Sequence, residues 1–260
     1  MTKALIGYSG FVGSNLLNQI KFDHQYNSKN INDIKGREFE EIYCAGAYAT
    51  KWMANNNPSV DLQNIFHLLD NLRDVRADRF ILISTIDVYK NLLNVNEENI
   101  IDLSNHHVYG VHRRIIENFV RERFVNHHII RLPGLFGDGL KKNIIFDFLN
   151  NNQLKKINSN SKFQFYWLGN IAKDIKKIIA NDIKLINLVT EPLIVKEIAE
   201  IVFKIKFENI VDENHVQYDV RTKYGKFFSQ QIDQNYSNNY IQSKQEILQE
   251  MCDNIKIKSR

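Results

Sequence analysis

The chain has 260 residues, 43% of them hydrophobic, with 34 basic and 30 acidic residues and a formal net charge of +4. That length and apolar content suffice for a sizeable core, in one large domain or a domain with a small lobe. A small positive excess with both signs mixed along the chain carries no nucleic-acid signature. Two cysteines, Cys44 and Cys252, make neither a disulfide framework nor a ligand set and fit a reducing compartment.

The opening run "MTKALIGYSGFVG" lacks the longer apolar stretch and cleavage site of a signal peptide. No segment holds about 18 consecutive apolar residues, so no membrane span is expected and a cytoplasmic location is. Buried strands are expected at "KALIGY" (3–8), "EIYCAGA" (41–47), "RFILIST" (79–85) and "HHIIRLPG" (127–134). A short, polar second strand is expected near "DHQYNSKN" (23–30). Helices are expected between them. Residues 11–20 form one. Residues 59–75 carry Ile65, Leu68, Leu69 and Leu72 at helical spacing, and 109–124 carry Ile115, Ile116, Phe119 and Val120. Alternating strands and helices predict a parallel sheet covered on both faces, and near-continuous apolar strands agree with burial on both sides. After Gly139 the sequence reads as helix (140–153), strand (162–168), helix (169–181), strand (184–190), helix (194–203) and closing helix (238–255). No linker separates the halves.

The first strand runs into Gly7-Tyr-Ser-Gly10-Phe11-Val12-Gly13 and then a helix. Such a junction suits a pyrophosphate: glycines permit a tight turn, and a helix N-terminus offers free N–H groups and positive dipole. The adenosine ribose is read about 20 residues further on, at the tip of the second strand. There stands Asn27-Ser28-Lys29, with no acid to bind a free 2′-hydroxyl and a lysine suited to a 2′-phosphate. NADP is therefore expected over NAD. Tyr109 and Arg113 share one helix face, four residues apart.

Taken together, Gly7-x-x-Gly10-x-x-Gly13, Ser84-Thr85-Ile-Asp87-Val-Tyr89, Tyr109-x-x-x-Arg113 and Arg131-Leu-Pro133-Gly134 have the order and spacing of a known family. Over about residues 1–200 the chain resembles the extended short-chain dehydrogenase/reductases. More narrowly it resembles the NAD-dependent epimerase/dehydratase family acting on nucleotide sugars. The resemblance implies an α/β fold: a Rossmann-like doubly wound parallel sheet with a small C-terminal α/β substrate lobe. Residues 1–139, with 162–190 returning, would form the dinucleotide-binding domain, and 140–161 with 191–260 the lobe. It also implies roles. Thr85 matches the catalytic Ser/Thr, Tyr109 the proton-transferring tyrosine, and Arg113 the lysine that binds the nicotinamide ribose. Pro133 lies in the turn beside the nicotinamide, and Cys44-Ala45-Gly46 is the small-residue strand end close to the cofactor. The usual lysine is an arginine here. Arginine keeps the cation that favours phenolate but, always protonated, cannot relay a proton.

Other groups are less specific. Family dehydratases carry an Asp-Glu pair where this chain has Ile86-Asp87, which disfavours dehydration and leaves Asp87 a substrate contact. Lys142 and Asn143, at the start of the family's substrate helix, and Arg221 would meet the nucleotide diphosphate. Lys51-Trp52 has two readings, cleft lining and packing. The histidines at 106, 107, 112, 127 and 128 lack convergent metal-ligand spacing, so no metal is expected, and His107 or His112 is expected in the active site. The implied partners are a nucleotide sugar and a second copy of the chain, paired through the helices at 59–75 and 109–124. The leading function is NAD(P)-dependent reduction of a nucleotide keto-sugar, or epimerisation through a keto intermediate. A cofactor-binding sensor or scaffold without turnover is the competing class.

Overall fold

The computed structural model describes residues 2–211, 215–228 and 239–256. In chain order its elements begin with strand β1 (Lys3–Ile6), helix α1 (Phe11–Leu17), β2 (His24–Tyr26), β3 (Glu38–Cys44), α2 (Lys51–Asn56), α3 (Pro58–Leu72), β4 (Arg76–Thr85), β5 (Leu93–Val95), α4 (Val108–Arg123) and β6 (His127–Leu132). They continue with β7 (Gly134–Phe136), α5 (Ile144–Asn150), β8 (Lys162–Phe163), β9 (Phe165–Trp167), α6 (Ile171–Ala180), β10 (Leu185–Asn187), β11 (Leu193–Ile194), α7 (Val195–Ile201), β12 (Asp219–Val220) and α8 (Lys244–Asn254). The chain packs as two compact units. One comprises residues 1–90, 99–131 and 171–186; the other comprises 91–98, 132–170 and 187–260.

The first unit is built on a six-stranded parallel sheet in the order β10-β6-β4-β3-β1-β2. The expected α/β doubly wound sheet is therefore present. The chain leaves β1 towards β2 on one side and resumes at β3 on the other, so β1 and β3 flank the point where strand order reverses. Register is tight: Ile6 lies opposite Cys44, and Cys44 opposite Leu82, so β1 and β3 end level while β4 runs three residues further, to Thr85. Alternation puts Ala4, Ile6, Ile42, Cys44, Phe80 and Leu82 on one face. There they pack with Ile65, Leu68, Leu69 and Leu72 of α3 and with Ile116 and Val120 of α4. The helix spacing read from the sequence is thus used by the chain's own core. Val60 and Phe66 are the large apolar side chains of α3 left exposed. Leu5, Tyr43 and Ile81 are buried on the opposite face, the side on which a right-handed crossover from β1 to β2 places α1, with α6 packed beside it. Those two helices meet where Gln19 accepts a hydrogen bond from the Ala172 N–H at 3.2 Å.

Helix α4 is fixed to the sheet by buried charge. Glu117 and Arg131 are 0% and 1% exposed. Arg131 donates through Nε and Nη2 to the two Glu117 oxygens at 2.8 and 2.7 Å, and through Nη1 to the Tyr89 hydroxyl at 2.7 Å. Ser84, Arg114 and Arg121 also donate to Glu117.

The second unit contains three two-stranded pairs: β7 with β9, β8 with β11, and β5 with β12. The expected strand at 162–168 is broken into β8 and β9 at Gln164. Its buried carboxamide donates to the Thr190 and Val220 carbonyls and accepts from the Val220 N–H, so the backbone turns it inward to tie three segments. The expected helix at 140–153 is shortened because Asn143 caps it at one end and Asn151, in left-handed conformation, stops it at the other. The closing helix begins at Lys244, capped by a reciprocal Ser243–Glu246 box; position 238 of the expected span lies outside the described residues. Among the described residues no helix is long and apolar enough to cross a membrane.

Burial pushes the Glu117 carboxyl up, but the bonds and charge of Arg131, with Ser84 and Arg121, outweigh it and hold it below the ordinary range. A depressed carboxyl stabilises the fold above its unfolded value and loses that stabilisation as pH falls through its folded value. Glu117→Gln is therefore expected to lower Tm at neutral pH and to flatten the acid limb of stability below about pH 4.5. Thermal melts of both proteins between pH 3 and pH 7 check this; parallel curves would contradict it.

Candidate active site

The glycine turn follows β1 at the carboxyl edge of the sheet. Gly7 has φ +86°, and a Cβ there would lie 2.3 Å from the Ala45 carbonyl oxygen. A Cβ on Gly13 would lie 2.0 Å from the Gly7 carbonyl oxygen. The turn is thus closed against the end of β3 at Cys44-Ala45-Gly46, and any larger residue would force it open. Gly10 caps α1 without a side chain, so the N–H groups that follow, on Phe11, Val12 and Gly13, face no capping oxygen. Cys44 is fully buried, and burial pushes its thiol up to about 11, so it serves as packing. The second strand ends at Tyr26, whose carbonyl accepts from the Gly7 N–H at 2.7 Å. This puts the acid-free segment Asn27-Ser28-Lys29 next to the turn. Ser28 and Lys29 are exposed. Asn27 and Asn30 shape the segment by bonding to backbone within it.

Two strands away, β4 ends at Thr85. The Thr85 hydroxyl accepts from the Asp87 N–H at 3.1 Å and has a 3.4 Å contact with the Asp87 carboxylate, fixing a single turn of 3-10 helix, Ile86–Val88. Tyr109 opens α4 opposite this turn. Its N–H donates to the Asn55 side chain at 3.0 Å, and His107 caps the helix by accepting from the Gly110 N–H at 2.9 Å. Gly110 sits against the turn: a Cβ there would lie 2.3 Å from the Asp87 carbonyl oxygen and 2.2 Å from the His106 ring nitrogen Nε2. His106 itself hydrogen-bonds that carbonyl at 3.0 Å. Lys51, on α2, pairs with Asp87 at 2.7 Å, whereas Trp52 is 72% exposed. Of the two readings of Lys51-Trp52, the lysine alone joins this cluster.

Arg113, one turn after Tyr109, is 4% exposed. Its guanidinium donates through Nη1 and Nη2 to the two Asp61 oxygens at 3.0 and 2.9 Å, and through Nη2 to the Tyr48 carbonyl. His112 shares Asp61 through Nδ1 at 2.8 Å. The guanidinium carbon lies 4.4 Å from the centre of the Tyr109 ring. Burial raises the Asp61 carboxyl, but Arg113 and His112 outweigh it and hold it low. For Tyr109 burial dominates and pushes the phenol up; Arg113 pulls it down, while Asp87 and Asp61 oppose that pull. Burial keeps His106 and His107 below the usual imidazole value. Among the described residues Arg113 Nε is buried with no partner. A glycine cradle that a Cβ would fill and an orphaned buried donor together fit a dinucleotide.

The remaining candidates lie in the second unit. Pro133 directly follows the last residue of β6. Asn143, with φ +99°, spends its carboxamide on capping α5, accepting from Ile145 and Phe146 and donating to the Leu135 carbonyl. Lys142 is exposed. Arg221 is tied by Asp219, its Nη2 at 3.0 Å, and Tyr240 donates to the same carboxylate. Among the described residues no group of three His, Cys, Asp or Glu is placed to hold a metal ion.

No family model matches the chain, and no curated protein matches it. Solved structures do. A UDP-N-acetylglucosamine 4-epimerase from Methanobrevibacter ruminantium M1, in complex with UDP-N-acetylmuramic acid, superposes with a TM-score of 0.71 at 12% identity, over 97% of this chain and 96% of that one. A dTDP-4-dehydrorhamnose reductase from Yersinia enterocolitica gives 0.69 at 14%, over 97% and 99%. MoeE5, in complex with UDP-glucose and NAD, gives 0.64 at 13%, over 85% and 88%. The shared feature is the fold.

Sequence reading missed Asp61 and Asn55, the residues that hold Arg113 and Tyr109. Nothing local marks either; Asp61 lies 52 residues before Arg113. Glu117 carried a faint signal, standing four residues beyond Arg113 on the same helix face. Because Gly110 sets how close α4 comes to the Thr85 turn, Gly110→Ala should displace Tyr109 while leaving the sheet intact. Displacements of about 1 Å can cost about a hundredfold in rate. The expected outcome is a modestly lowered Tm with turnover reduced at least about tenfold; unchanged turnover would show that the contact does not set the geometry.

Proposed function

We propose that the protein reduces the keto group of a nucleotide-activated sugar with a reduced nicotinamide dinucleotide, NADPH in preference to NADH. The observation carrying this reading is the gathering of glycine turn, Thr85 and Tyr109 on the carboxyl edge of one parallel sheet, beside the point where strand order reverses. Likeness to nucleotide-sugar epimerases and reductases supports the substrate class, and the NAD in the MoeE5 complex supports the cofactor class.

In this reading Gly7, Gly10, Phe11, Val12 and Gly13 hold the pyrophosphate, with Ala45 and Gly46 behind them and Cys44 filling the space beneath. Ser28 and Lys29 would bind the 2′-phosphate of NADP. Arg113 Nε would hold a hydroxyl of the nicotinamide ribose, with Pro133 beside the ring. When bound, the reduced nicotinamide would supply the hydride that reduces the carbonyl carbon. Tyr109 donates its phenolic proton to the carbonyl oxygen, and Thr85, its hydroxyl oriented by the Asp87 N–H, hydrogen-bonds the same oxygen. Asp87, held by Lys51, contacts the sugar. Lys142 and Arg221 meet the diphosphate, with Asn143 fixing the helix start beside Lys142. A second reading is epimerisation through a transient keto intermediate, favoured by the likeness to 4-epimerases. It uses the same residues and differs in consuming no cofactor.

Tyr109→Phe is expected to fold and bind cofactor normally and to lose about 10²–10⁴-fold in turnover of a nucleotide keto-sugar, the span for a lost general acid. Full activity in that variant would remove the mechanism, and failure of every nucleotide keto-sugar to turn over would leave a cofactor-binding protein. Fluorescence titration should show tighter binding of NADPH than NADH, with Lys29→Ala narrowing the gap; NADH binding about tenfold more tightly would overturn the preference.

A further inference from the structure

The Arg113 guanidinium stands where a catalytic tyrosine expects an uncompensated cation, yet a carboxylate meets it face to face. Asp61 is 7% exposed, on α3, and spans both terminal nitrogens of Arg113 at 2.9 and 3.0 Å. A bidentate pair of this kind is geometrically fixed and strongly coupled when buried. We propose that Asp61 is a positioning residue that locks Arg113 against the Tyr109 ring and offsets part of its charge, so that Tyr109 enters each catalytic cycle as an acid. The inference rests on the reductive reading of the site.

Other charged and titratable groups around this pair come from three further elements, and of these Asp87 acts on Tyr109 directly. Asp87 belongs to the Thr85 turn, Lys51 to α2, and His106 and His107 to the segment leading into α4; His112 is on α4 itself. Lys51 is paired with Asp87 at 2.7 Å, as Arg113 is with Asp61. Burial disfavours the charged forms of His106 and His107. Arg113 and Lys51 are thus each paired with a carboxylate, Asp61 and Asp87 oppose the pull of Arg113 on the phenol, and burial, the largest influence, favours the neutral form. An enzyme that begins with a carbonyl needs such a phenol: the hydride from the reduced nicotinamide adds to carbon, the phenolic proton passes to oxygen, and the phenolate recovers a proton from water. An enzyme that begins by oxidising an alcohol needs the phenolate first. The paired charges suit the former.

Asp61→Asn keeps the shape and removes the charge. The test reads the tyrosinate absorbance of Tyr109 directly, as the difference between each protein and its Tyr109→Phe counterpart, without substrate or cofactor. With Arg113 uncompensated, the phenolate fraction at a given alkaline pH should rise about ten- to hundredfold. The alkaline limb of the reductase pH–rate profile should move to lower pH by the same factor. A residue with only a structural role would lower Tm and leave the tyrosine titration in place, and that result overturns the inference. If Asp61→Asn does not fold, Asp61→Asn combined with Arg113→Met removes the pair together. A titration unchanged from the parent then supports the offset, and one displaced to higher pH shows that Arg113 had acted alone. Failure of the reductive reading looks different: Tyr109→Phe would remain active whatever Asp61→Asn does to the titration.

Discussion

Helix α4 is held by two buried carboxylate–guanidinium pairs, and the geometry of the candidate site depends on the deeper of them. Glu117 and Arg131 are both shielded from water and satisfy each other bidentately. Such a pair contributes little net stability compared with apolar packing, because desolvation offsets attraction. Its effect here is positional. Arg131 extends from β6 to the Tyr89 hydroxyl, and Glu117 reaches Ser84, so helix, strand end and the turn after it share one network. Slipping α4 by one residue would strand a charge in the core. Tyr109, two turns earlier on the same helix, inherits that fixed register.

The second pair acts nearer the chemistry. Arg113–Asp61 joins α4 to α3, and the Tyr48 carbonyl joins both to the segment leaving β3. That segment also closes the glycine turn through Ala45 and Gly46. A continuous set of contacts therefore runs from the turn after β1, through the end of β3, to the tyrosine. The level ends of β1 and β3 make this possible, since the glycine turn and the segment leaving β3 rise from one edge at one height.

Local chemistry made much of this legible from sequence. The glycine turn is a strand, three glycines and a helix in succession, and its steric need is written in those residues. The apolar spacing of α3 and α4 likewise declared which face meets the sheet. What escaped depends on distant partners. Asp61 looks like one more polar residue in the first turn of a helix, and only folding brings it to Arg113. Helix α2 carries Lys51 to Asp87 across 36 residues of sequence, and no periodic pattern marks a helix of six residues. The aromatic run at 162–168 read as one strand because its pattern is continuous, yet buried Gln164 breaks it to satisfy three backbone groups. Asn143 read as an anion contact because it neighbours lysines, and its carboxamide is spent on a helix cap.

Replacing lysine by arginine is often treated as conservative, and here the surroundings show why it is not. A lysine offers a point charge on a flexible stem, which can touch a ribose and a tyrosine in turn. An arginine in the same place has a planar fork that demands a planar acceptor if it is to be buried. Asp61 supplies that acceptor, and it takes up both terminal nitrogens. The exchange leaves Nε, among the described residues, as a buried donor without a partner, on the side of the guanidinium opposite the carboxylate. Arginine and aspartate therefore form one structural unit, in which the carboxylate takes both terminal nitrogens and opposes the pull of the guanidinium on the tyrosine.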